Sequence, residues 1–320
     1  MGRKALRSCF ARLPARTSTR HDRHYAMLGE RKRGVKMRVG ARIERIMESG
    51  TAVVEAVLAG TRGIAFDMDG VLYRGEHVLP GAVELVTELQ RRGIPFAMVT
   101  NNSTRTPEEY AAKLARLGMT VAAEQIVTSG IATRDWMRLH YRPGTRVYVL
   151  GMPALVEAIL GDGRFVSAGR DAEVVVSGAD FTLTYEKLKI ATLAIRDGAD
   201  WIATNADRTF PSEDGLIPGS GAIVAALQAA TDRTPLVIGK PEPAMLLRAA
   251  DVMGLSPHEL LVIGDRLDTD VLAGKRAGAR TALVLTGVST REDLTMTEWL
   301  PDLVLSDLRE LLAAVRSLRW

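Results

Sequence analysis

Short runs of apolar residues alternate with helix-like segments from Gly63 onward, and this rhythm continues through the C-terminal part of the chain. The runs contain few polar residues, which is typical of strands buried on both faces of a parallel sheet. The runs are GIAFD, PFAMVT, RVYVL, EVVVS, DWIAT, PLVIG, LLVIG and RTALVL. The pattern predicts an α/β protein with a doubly wound parallel sheet that is covered by helices on both sides.

Two helices between the first strands have clear end signals. The first is predicted from Ala82 to Arg92, where Gly93 ends it. The second is predicted to begin after Thr106, because Glu109 stands where a capping box requires an acidic residue. Gly118 is expected to end this second helix.

Composition limits the kinds of partner. The chain has 320 residues, 47% of them apolar and 25% charged, as in globular proteins of one large or two modest domains. Residues 1–50 contain 14 Lys and Arg against 4 Asp and Glu, whereas the remainder contains 28 against 34. The body is therefore mildly acidic, and no nucleic acid is expected to bind it.

The N-terminal segment, residues 1–60, is predicted to be a basic, disordered extension with a short lead-in helix from about Ile43 to Leu58. Its first part is rich in Arg and Ser and lacks acidic residues, which also suits an organelle transit peptide. Cys9 is the only cysteine, so neither a disulfide nor a Cys/His zinc site is expected. No apolar stretch reaches the roughly 18 residues of a membrane span. A cytoplasmic protein without a membrane partner is predicted.

The first candidate motif is Asp67-Met68-Asp69-Gly70-Val71, which directly follows the apolar residues GIAF. Residues i and i+2 at a strand end can face the same pocket. Two carboxylates directly after an apolar strand are costly unless they are paired or bind a metal ion. A surface turn explains such a pair equally well when it stands alone.

Two further motifs follow later apolar runs. Thr100-Asn101-Asn102 offers hydroxyl and amide groups that can hold phosphate oxygens, although a capped turn is an alternative interpretation. Gly239-Lys240-Pro241 supplies a cation that can neutralise a phosphoryl group. A solvated surface charge is the alternative for Lys240.

The fourth motif, which begins at Gly264-Asp265, follows LLVIG and contains several carboxylates. Carboxylates suit Mg²⁺, which prefers oxygen ligands. Asp265 is nearest the strand end and is the better candidate ligand, whereas Asp268 can simply cap the next helix. Because all four motifs follow apolar strands, we expect their four strands to share one sheet and their side chains to form one site.

In order and spelling, DMDGVL, TNN, GKP and GDRLDTD resemble the motifs of the haloacid dehalogenase (HAD) superfamily, and of its subfamily IIA phosphatases in particular. That group includes nitrophenyl- and phosphoglycolate phosphatases. The resemblance extends from about Arg62 to the C-terminus. It implies a HAD-like Rossmannoid core with an inserted α/β cap domain that selects the substrate.

Spacing supports the inserted domain. Asp67 and Thr100 are 33 residues apart, which leaves room for one helix and one strand. Asn101 and Lys240 are 139 residues apart, far more than the roughly 30 residues of one crossover unit. We therefore predict a core of residues 61–142 and 235–320, with the cap at 143–234.

The resemblance also implies roles for the motif residues. Asp67 would attack phosphorus and form an aspartyl-phosphate, and Asp69 would serve as general acid and base. Mg²⁺ would be held by the metal ligands Asp67, Asp265 and the main-chain carbonyl of Asp69. The residues that would contact the phosphoryl group are Thr100, Asn101, Asn102 and Lys240. Asp270 is expected to support the loop or Lys240.

A loop of the predicted cap, from Thr204 to Pro211, matches the loop that covers the site in subfamily IIA. Its candidate substrate contacts are Asn205, Asp207, Arg208 and Phe210. Vitamin-phosphatase relatives have His where this chain has Phe210, so pyridoxal phosphate is a doubtful substrate. Arg208 is either a contact for an acidic ester or an exposed arginine. The sequence Gly219-Ser220-Gly221 is interpreted as a packing turn, because a dinucleotide loop requires a third glycine.

The predicted function is a Mg²⁺-dependent phosphatase that acts on a small phosphate monoester. A phosphotransferase with the same intermediate is an alternative, as is a non-catalytic binding protein of the same fold. A dehalogenase is disfavoured because that branch lacks a second aspartate, which is Asp69 here. Nucleic-acid binding through the basic tail is a further alternative. By analogy with the subfamily, a homodimer through the cap is expected. The sequence does not identify the physiological ester.

Overall fold

The computed structural model describes residues 51–317, except residues 213 and 214, as two parallel sheets with covering helices. In chain order the strands are β1 (Gly63–Phe66), β2 (Tyr73–Arg74), β3 (His77–Val78), β4 (Phe96–Thr100), β5 (Ile126–Thr128), β6 (Arg146–Leu150), β7 (Val166–Ser167), β8 (Val174–Ser177), β9 (Asp200–Ala203), β10 (Thr209–Ser212), β11 (Gly215–Pro218), β12 (Leu236–Val237), β13 (Leu260–Gly264), β14 (Arg280–Val284) and β15 (Leu303–Leu305). The α-helices are α1 (Thr51–Leu58), α2 (Ala82–Arg92), α3 (Pro107–Arg116), α4 (Ser129–His140), α5 (Pro153–Leu160), α6 (Tyr185–Arg196), α7 (Ser220–Thr231), α8 (Ala244–Met253), α9 (Leu272–Ala277) and α10 (Leu308–Ser317).

The larger sheet contains six parallel strands in the order β15-β14-β13-β1-β4-β5. At its centre, Phe66 of β1 is paired with Ile263 of β13 on one side and with Met98 of β4 on the other. Every residue of β1, β4 and β13 is buried, as expected for continuous apolar strands between two layers of helices. The predicted α/β, doubly wound sheet is confirmed.

The second sheet contains five parallel strands in the order β12-β9-β8-β6-β7. The strand predicted in PLVIG is the edge of this sheet, where Leu236 of β12 is paired with Ile202 of β9. The expectation that all four motif-bearing strands share one sheet is therefore wrong. An apolar run shows that a segment is buried, but it does not show which sheet edge the segment joins.

Three of the four buried apolar clusters in the described residues cover the faces of the two sheets. One face of the six-stranded sheet packs Phe66 together with Leu89 of α2 and Leu311 of α10. The cluster on the opposite face continues into the second sheet, since it includes both Leu246 of α8 and Val176 of β8. A third cluster packs the far face of the second sheet against α6 and α7. The shared cluster fixes the second sheet beside the first.

The two predicted helix signals are present in the structure. Gly93 ends α2 with a left-handed φ of 66°. At the start of α3, the Glu109 N–H donates to Thr106 Oγ1 at 3.2 Å, and the Thr106 N–H donates to the Glu109 carboxylate at 2.8 Å. This reciprocal pair satisfies two N–H groups that a helix start leaves without partners.

The structure also tests the predicted lead-in helix and contains strands that the apolar pattern did not predict. The lead-in helix predicted from about Ile43 to Leu58 is present over Thr51–Leu58 as α1. The first part of the predicted helix and the basic tail lie outside the described residues. The apolar pattern did not identify β5, β15 or the two antiparallel hairpins, β2–β3 and β10–β11. Among the helices that the structure describes, none is both long and apolar enough to cross a membrane.

Candidate active site

Three polar motifs follow three neighbouring strands of the six-stranded sheet. Asp67 follows β1, Asp265 follows β13 and Thr100 ends β4. Because parallel strands end at the same edge of a sheet, their side chains converge there. All three residues line one cleft. The structure thus brings these three predicted site residues together.

Lys240 reaches the same point from the second sheet, just beyond β12. Its Nζ donates to Asp67 Oδ1 at 2.5 Å, to Asp270 Oδ1 at 2.6 Å and to the carbonyl oxygen of Val99 at 3.1 Å. The Lys240 side chain is 4% exposed and that of Asp67 is 13% exposed. The alternative interpretation of Lys240 as a solvated surface charge is therefore wrong.

Three carboxylates surround this single ammonium group. Ligand oxygens of Asp67, Asp265 and Asp270 lie within 4.8 Å of one another. Burial, and then the charge of Asp270, raises the pKa of Asp265 to about 7. Burial also raises the pKa of Asp67 well above its usual value, although Lys240 opposes this effect. A divalent cation fits here, because it prefers oxygen ligands and would neutralise the excess negative charge.

The ammonium group itself stays charged. Burial acts to lower the pKa of Lys240, but the charges of Asp270 and Asp67 outweigh burial and raise it. Asp270 also accepts a hydrogen bond from the Arg266 N–H at 3.2 Å. This agrees with its predicted supporting role. Asp268 pairs with Arg266 at 3.0 Å, with its side chain 70% exposed, and lies outside the carboxylate cluster.

The Asp265 carboxylate occupies a space that exists only because two neighbours are glycines. Its Oδ2 accepts a hydrogen bond from the Val288 N–H at 2.8 Å. A Cβ atom at Gly287 would lie 1.9 Å from that oxygen, and one at Gly70 would lie 2.5 Å from it. The loop after β14 is therefore part of the site, although no predicted motif included it. A glycine shortly after an apolar strand was the available signal.

Asp69 lines the cleft from the turn that follows β1, with its side chain exposed there. The surrounding cleft walls raise the pKa of Asp69 through partial burial, and the charges of Lys113 and Arg74 oppose this rise. Arg74 is held by a hydrogen bond to the carbonyl oxygen of Thr286 at 2.7 Å. A raised pKa favours the protonated carboxyl group, which is the form that can donate a proton.

The turn after β4 is stabilised by its own side chains. The Asn102 N–H donates to Thr100 Oγ1 at 3.2 Å, and Asn102 Oδ1 accepts from the N–H and hydroxyl of Thr104 at 2.8 and 2.7 Å. The capped-turn interpretation therefore describes the Asn102 side chain. Thr100 and Asn102 both line the cleft.

The Asn101 side chain is directed at the main chain of Lys240. Its amide oxygen accepts from the Lys240 N–H at 2.7 Å, and its amide nitrogen donates to the Lys240 carbonyl at 2.9 Å. The same nitrogen donates to the Asp207 carboxylate at 3.1 Å. A carboxamide has two N–H donors, and both donors of the Asn101 side chain are used within the protein.

The cap loop between β9 and β10 contacts this network. Asn205 Nδ2 donates to the Asn101 carbonyl at 2.7 Å, and the Asp207 N–H donates to Asn205 Oδ1 at 3.1 Å. A Cβ atom at Gly219 would lie 2.4 Å from the Asp207 carbonyl, and one at Gly221 would lie 2.4 Å from a carbonyl of the same loop. The interpretation of Gly219-Ser220-Gly221 as a packing turn is confirmed.

Phe210 and Arg208 occupy different positions although they are near neighbours in sequence. Phe210 lines the cleft and packs edge-on against Phe181, with ring centroids 5.3 Å apart. Arg208 is exposed and is absent from the cleft lining in the part of the chain that the structure describes. Its position agrees with the exposed-arginine interpretation, while contact with an acidic ester stays a prediction.

The cleft has a volume of about 320 Å³, at the lower end of the range for small-molecule sites. Its walls come from both sheets. Lining residues outside the predicted motifs and the predicted cap loop include Tyr73, Arg74, Tyr110, Leu216 and Val288. Tyr73 and Arg74 belong to the β2–β3 hairpin and Leu216 to the β10–β11 hairpin, which are too short to produce a clear alternating pattern.

Comparison with known proteins agrees with this architecture. A family model of haloacid dehalogenase-like hydrolases matches residues 64–163, and a HAD-hydrolase-like model matches residues 237–311. An acid sugar phosphatase of Staphylococcus aureus is 40% identical over 247 residues, which cover 77% of this chain and 95% of that protein.

Solved structures give the same result. The 4-nitrophenylphosphatase of Thermotoga maritima superposes with a TM-score of 0.76 at 38% identity, covering 81% of this chain and 99% of that one. A glycerol phosphate phosphatase of Mycobacterium tuberculosis, solved in complex with calcium, gives a TM-score of 0.74 at 36% identity, covering 80% of this chain and 76% of that one.

The fold and the site together define a hydrolase with an α/β core and a cap domain. The chain belongs to the haloacid dehalogenase-like hydrolases. Within that family it is a phosphoric monoester hydrolase, similar to the subfamily IIA phosphatases. The predicted family, fold class and enzyme class are confirmed.

Proposed function

We propose that this protein hydrolyses a small phosphate monoester in a Mg²⁺-dependent reaction through an aspartyl-phosphate on Asp67. The observation that supports this most directly is the contact between Asp67 and Lys240 beside Asp265, at strand ends that line the cleft. A carboxylate attacks a phosphate readily only when the repulsion between the two anions is reduced. The Lys240 ammonium group lies where it can reduce that repulsion.

In the first half-reaction, an Asp67 carboxylate oxygen forms a bond to phosphorus while the bond from phosphorus to the ester oxygen breaks. Asp69, in its protonated form, gives its proton to the departing oxygen, so that an alcohol leaves. The Thr100 hydroxyl donates to a phosphoryl oxygen. Lys240 balances the charge of the phosphoryl group during transfer.

In the second half-reaction, Asp69 accepts a proton from a water molecule whose oxygen attacks phosphorus. The bond between phosphorus and Asp67 breaks, which releases inorganic phosphate and restores both carboxyl groups. An alcohol that replaced this water would make the enzyme a phosphotransferase. The site residues are the same for both acceptors, so the acceptor must be identified by assay.

The carboxylates of Asp67 and Asp265, with the main-chain carbonyl of Asp69, would hold Mg²⁺. When bound, the ion supplies positive charge to the phosphoryl oxygens and acts as a Lewis acid. The fit rests on three buried or half-buried carboxylates around one ammonium group. Asp270 lies in the same carboxylate cluster but is already bonded to Lys240.

We propose residues 143–234 as the cap, which contains the second sheet except β12, and this cap would select the ester. Its contributions to the cleft include the aromatic ring of Phe210 and the side chain of Leu216. From the other side the cleft is lined by Tyr73 and Tyr110. A cleft of about 320 Å³ with such walls favours a small organic phosphate. Phe210 in place of a histidine makes pyridoxal phosphate a poor candidate.

The test is phosphate release from 4-nitrophenyl phosphate and glycerol phosphate, with added Mg²⁺ and with a chelator. We expect turnover in the wild type with Mg²⁺, loss of turnover with the chelator, and no turnover in Asp67→Asn. Asp268→Asn is the matched control, because it changes the same chemical group on the exposed side of the loop. Asp67→Asn protein that turned over at the wild-type rate would contradict the proposal.

The covalent step has its own measurement. Rapid quenching in acid during turnover, followed by mass spectrometry, should show one phosphoryl group on the peptide that contains Asp67. Adding glycerol as an alternative acceptor separates the two enzyme classes. Free phosphate equal to the alcohol released indicates a phosphatase, whereas a deficit of phosphate indicates transfer to the acceptor.

A further inference from the structure

Asn101 connects three parts of the molecule that belong to different segments. It lies in the turn after β4 of the six-stranded sheet, and it is only 9% exposed. Its side chain is bonded to both main-chain groups of Lys240 and to the carboxylate of Asp207 in the cap loop. The hydrogen-bonding capacity of its amide nitrogen is fully used by these contacts.

Lys240 is the first residue beyond the edge of the cap sheet. The pairing of β12 with β9 is extended by the Ile238 N–H, which donates to Ala203, and by the Gly239 N–H, which donates to the Thr204 carbonyl at 2.8 Å. The next N–H, that of Lys240, donates to Asn101 instead. The Lys240 main chain therefore leaves the cap sheet at the point where the Asn101 amide holds it.

Gly239 shows how closely these segments approach each other. A Cβ atom at this position would lie 2.5 Å from the Thr204 carbonyl oxygen and 2.7 Å from Asn101 Oδ1. These distances are well below van der Waals contact. The Lys240 peptide is thus closely packed between the cap loop and the turn after β4, and its ammonium group lies at Asp67.

We infer that Asn101 and Asp207 are positioning residues, which hold the Lys240 main chain in register with the cap loop and so place its ammonium group at Asp67. This inference rests on the proposed role of Lys240 in phosphoryl transfer. Neither side chain needs to touch the substrate. The cap loop thereby influences the chemical step as well as the choice of ester.

Exchanging the hydrogen-bond donor and acceptor between Asn101 and Asp207 tests whether their contact positions Lys240. Asn101→Asp removes both donors and places a second carboxylate against that of Asp207. We expect kcat for 4-nitrophenyl phosphate to fall about 10²-fold, the cost of a small misplacement of a catalytic group, with little change in KM. Asp207→Asn should have a small effect, because its new amide oxygen can still accept from Asn101.

The double variant Asn101→Asp with Asp207→Asn restores a donor opposite an acceptor, with the new amide at position 207 donating to the new carboxylate at position 101. We expect it to recover a substantial part of the loss in kcat, although the bond to the Lys240 carbonyl stays broken. A double variant as slow as Asn101→Asp alone, or slower, would overturn the inference. Asp171→Asn, an exposed carboxylate on the same sheet's surface, is the control and should behave as wild type.

A second measurement does not depend on turnover or on the folding of Asn101→Asp. In Asp207→Ala, the Asn101 amide loses one of its partners, and the buried Lys240 N–H should exchange with solvent faster than in wild type. Hydrogen exchange followed by mass spectrometry of peptides that contain Lys240 reports this change. Unaltered exchange in Asp207→Ala would contradict the coupling. Failure of the proposed function would be recognised separately, as a wild-type protein without phosphatase activity.

Discussion

The two sheets contribute to the site in different ways. The six-stranded sheet supplies Asp67 and Asp265 directly at the ends of central, fully buried strands. The five-stranded sheet supplies Phe210 and Leu216 from a hairpin beyond its strands, and Lys240 from just past a two-residue edge strand. Groups on central strands are positioned by packing on both faces, whereas groups on hairpins and edges are positioned by a few local contacts.

From this difference we infer that the six-stranded sheet provides the groups for phosphoryl transfer and the second sheet those for the choice of ester. The chemistry of phosphoryl transfer is the same for every ester and needs a fixed carboxylate geometry, which the central strands provide. The choice of ester can vary among related proteins, and we propose that the hairpin of the cap makes it. In the proposed mechanism Lys240 is the exception, because it follows a strand of the second sheet and yet takes part in the chemistry.

The largest effect in this series is expected at Asp69, on the core side. Asp69→Asn removes the proton donor, and kcat for glycerol phosphate should fall by about 10²–10⁴-fold. The loss should be smaller for 4-nitrophenyl phosphate, because nitrophenolate leaves readily without a proton. Steady-state kinetics on both esters with Asp69→Asn and Asp268→Asn measures the contrast. Equal losses on the two esters would show that Asp69 does not protonate the leaving oxygen.

The second-largest loss in kcat is expected at Lys240, and this variant tests whether Lys240 takes part in phosphoryl transfer. Lys240→Met keeps much of the side-chain volume but removes the cation from Asp67 and Asp270. We expect kcat to fall by about 10²–10³-fold, as when a stabiliser of transition-state charge is removed. Breaking this buried ion pair should also cost about 3–5 kcal/mol of unfolding free energy.

Two measurements separate the consequences for Lys240→Met. Urea unfolding gives the stability change, and kinetics at a temperature where the variant is fully folded gives the change in kcat. Lys187→Met is a matched control, since that lysine pairs with Asp180 on the cap, away from the cleft lining. A Lys240→Met enzyme with wild-type kcat would place Lys240 with the structural residues of the cap.

The sequence was informative where apolar runs end in polar clusters. The β1, β4 and β13 strands and the motifs that follow them could be predicted, because continuous apolar patterning and adjacent carboxylates are both visible in one segment. The sheet to which PLVIG belongs could not be predicted, since edge pairing depends on the distant β9. The contacts of Asn101 depend on Lys240 and Asp207, more than a hundred residues away, and no local pattern records them.

A moderate loss in kcat/KM is expected when Phe210, on the hairpin of the cap, is substituted. Phe210→Ala removes the edge-on contact with Phe181 and part of the cleft wall. We expect kcat/KM for 4-nitrophenyl phosphate to fall by about fivefold, corresponding to about 1 kcal/mol for an aromatic contact. Glycerol phosphate, which has no ring, should be affected less. Tyr185→Ala, which removes an aromatic residue that is 84% exposed on the same cap, should leave both esters unaffected.

The smallest effect is expected at Arg208, and it is compared with Arg74 from the core side. Arg208 is exposed outside the cleft lining, so Arg208→Ala should change stability by less than about 0.5 kcal/mol and leave kcat/KM for phosphoglycolate nearly unchanged. Arg74 lines the cleft and is held by the Thr286 carbonyl, so Arg74→Ala should weaken binding of an acidic ester and raise its KM. Measuring KM for phosphoglycolate and for 4-nitrophenyl phosphate in both variants gives the selectivity. A rise in KM for phosphoglycolate alone in Arg208→Ala would contradict this prediction. It would mean that the cap loop turns Arg208 into the cleft when an acidic ester binds, so that Arg208 helps to select the ester.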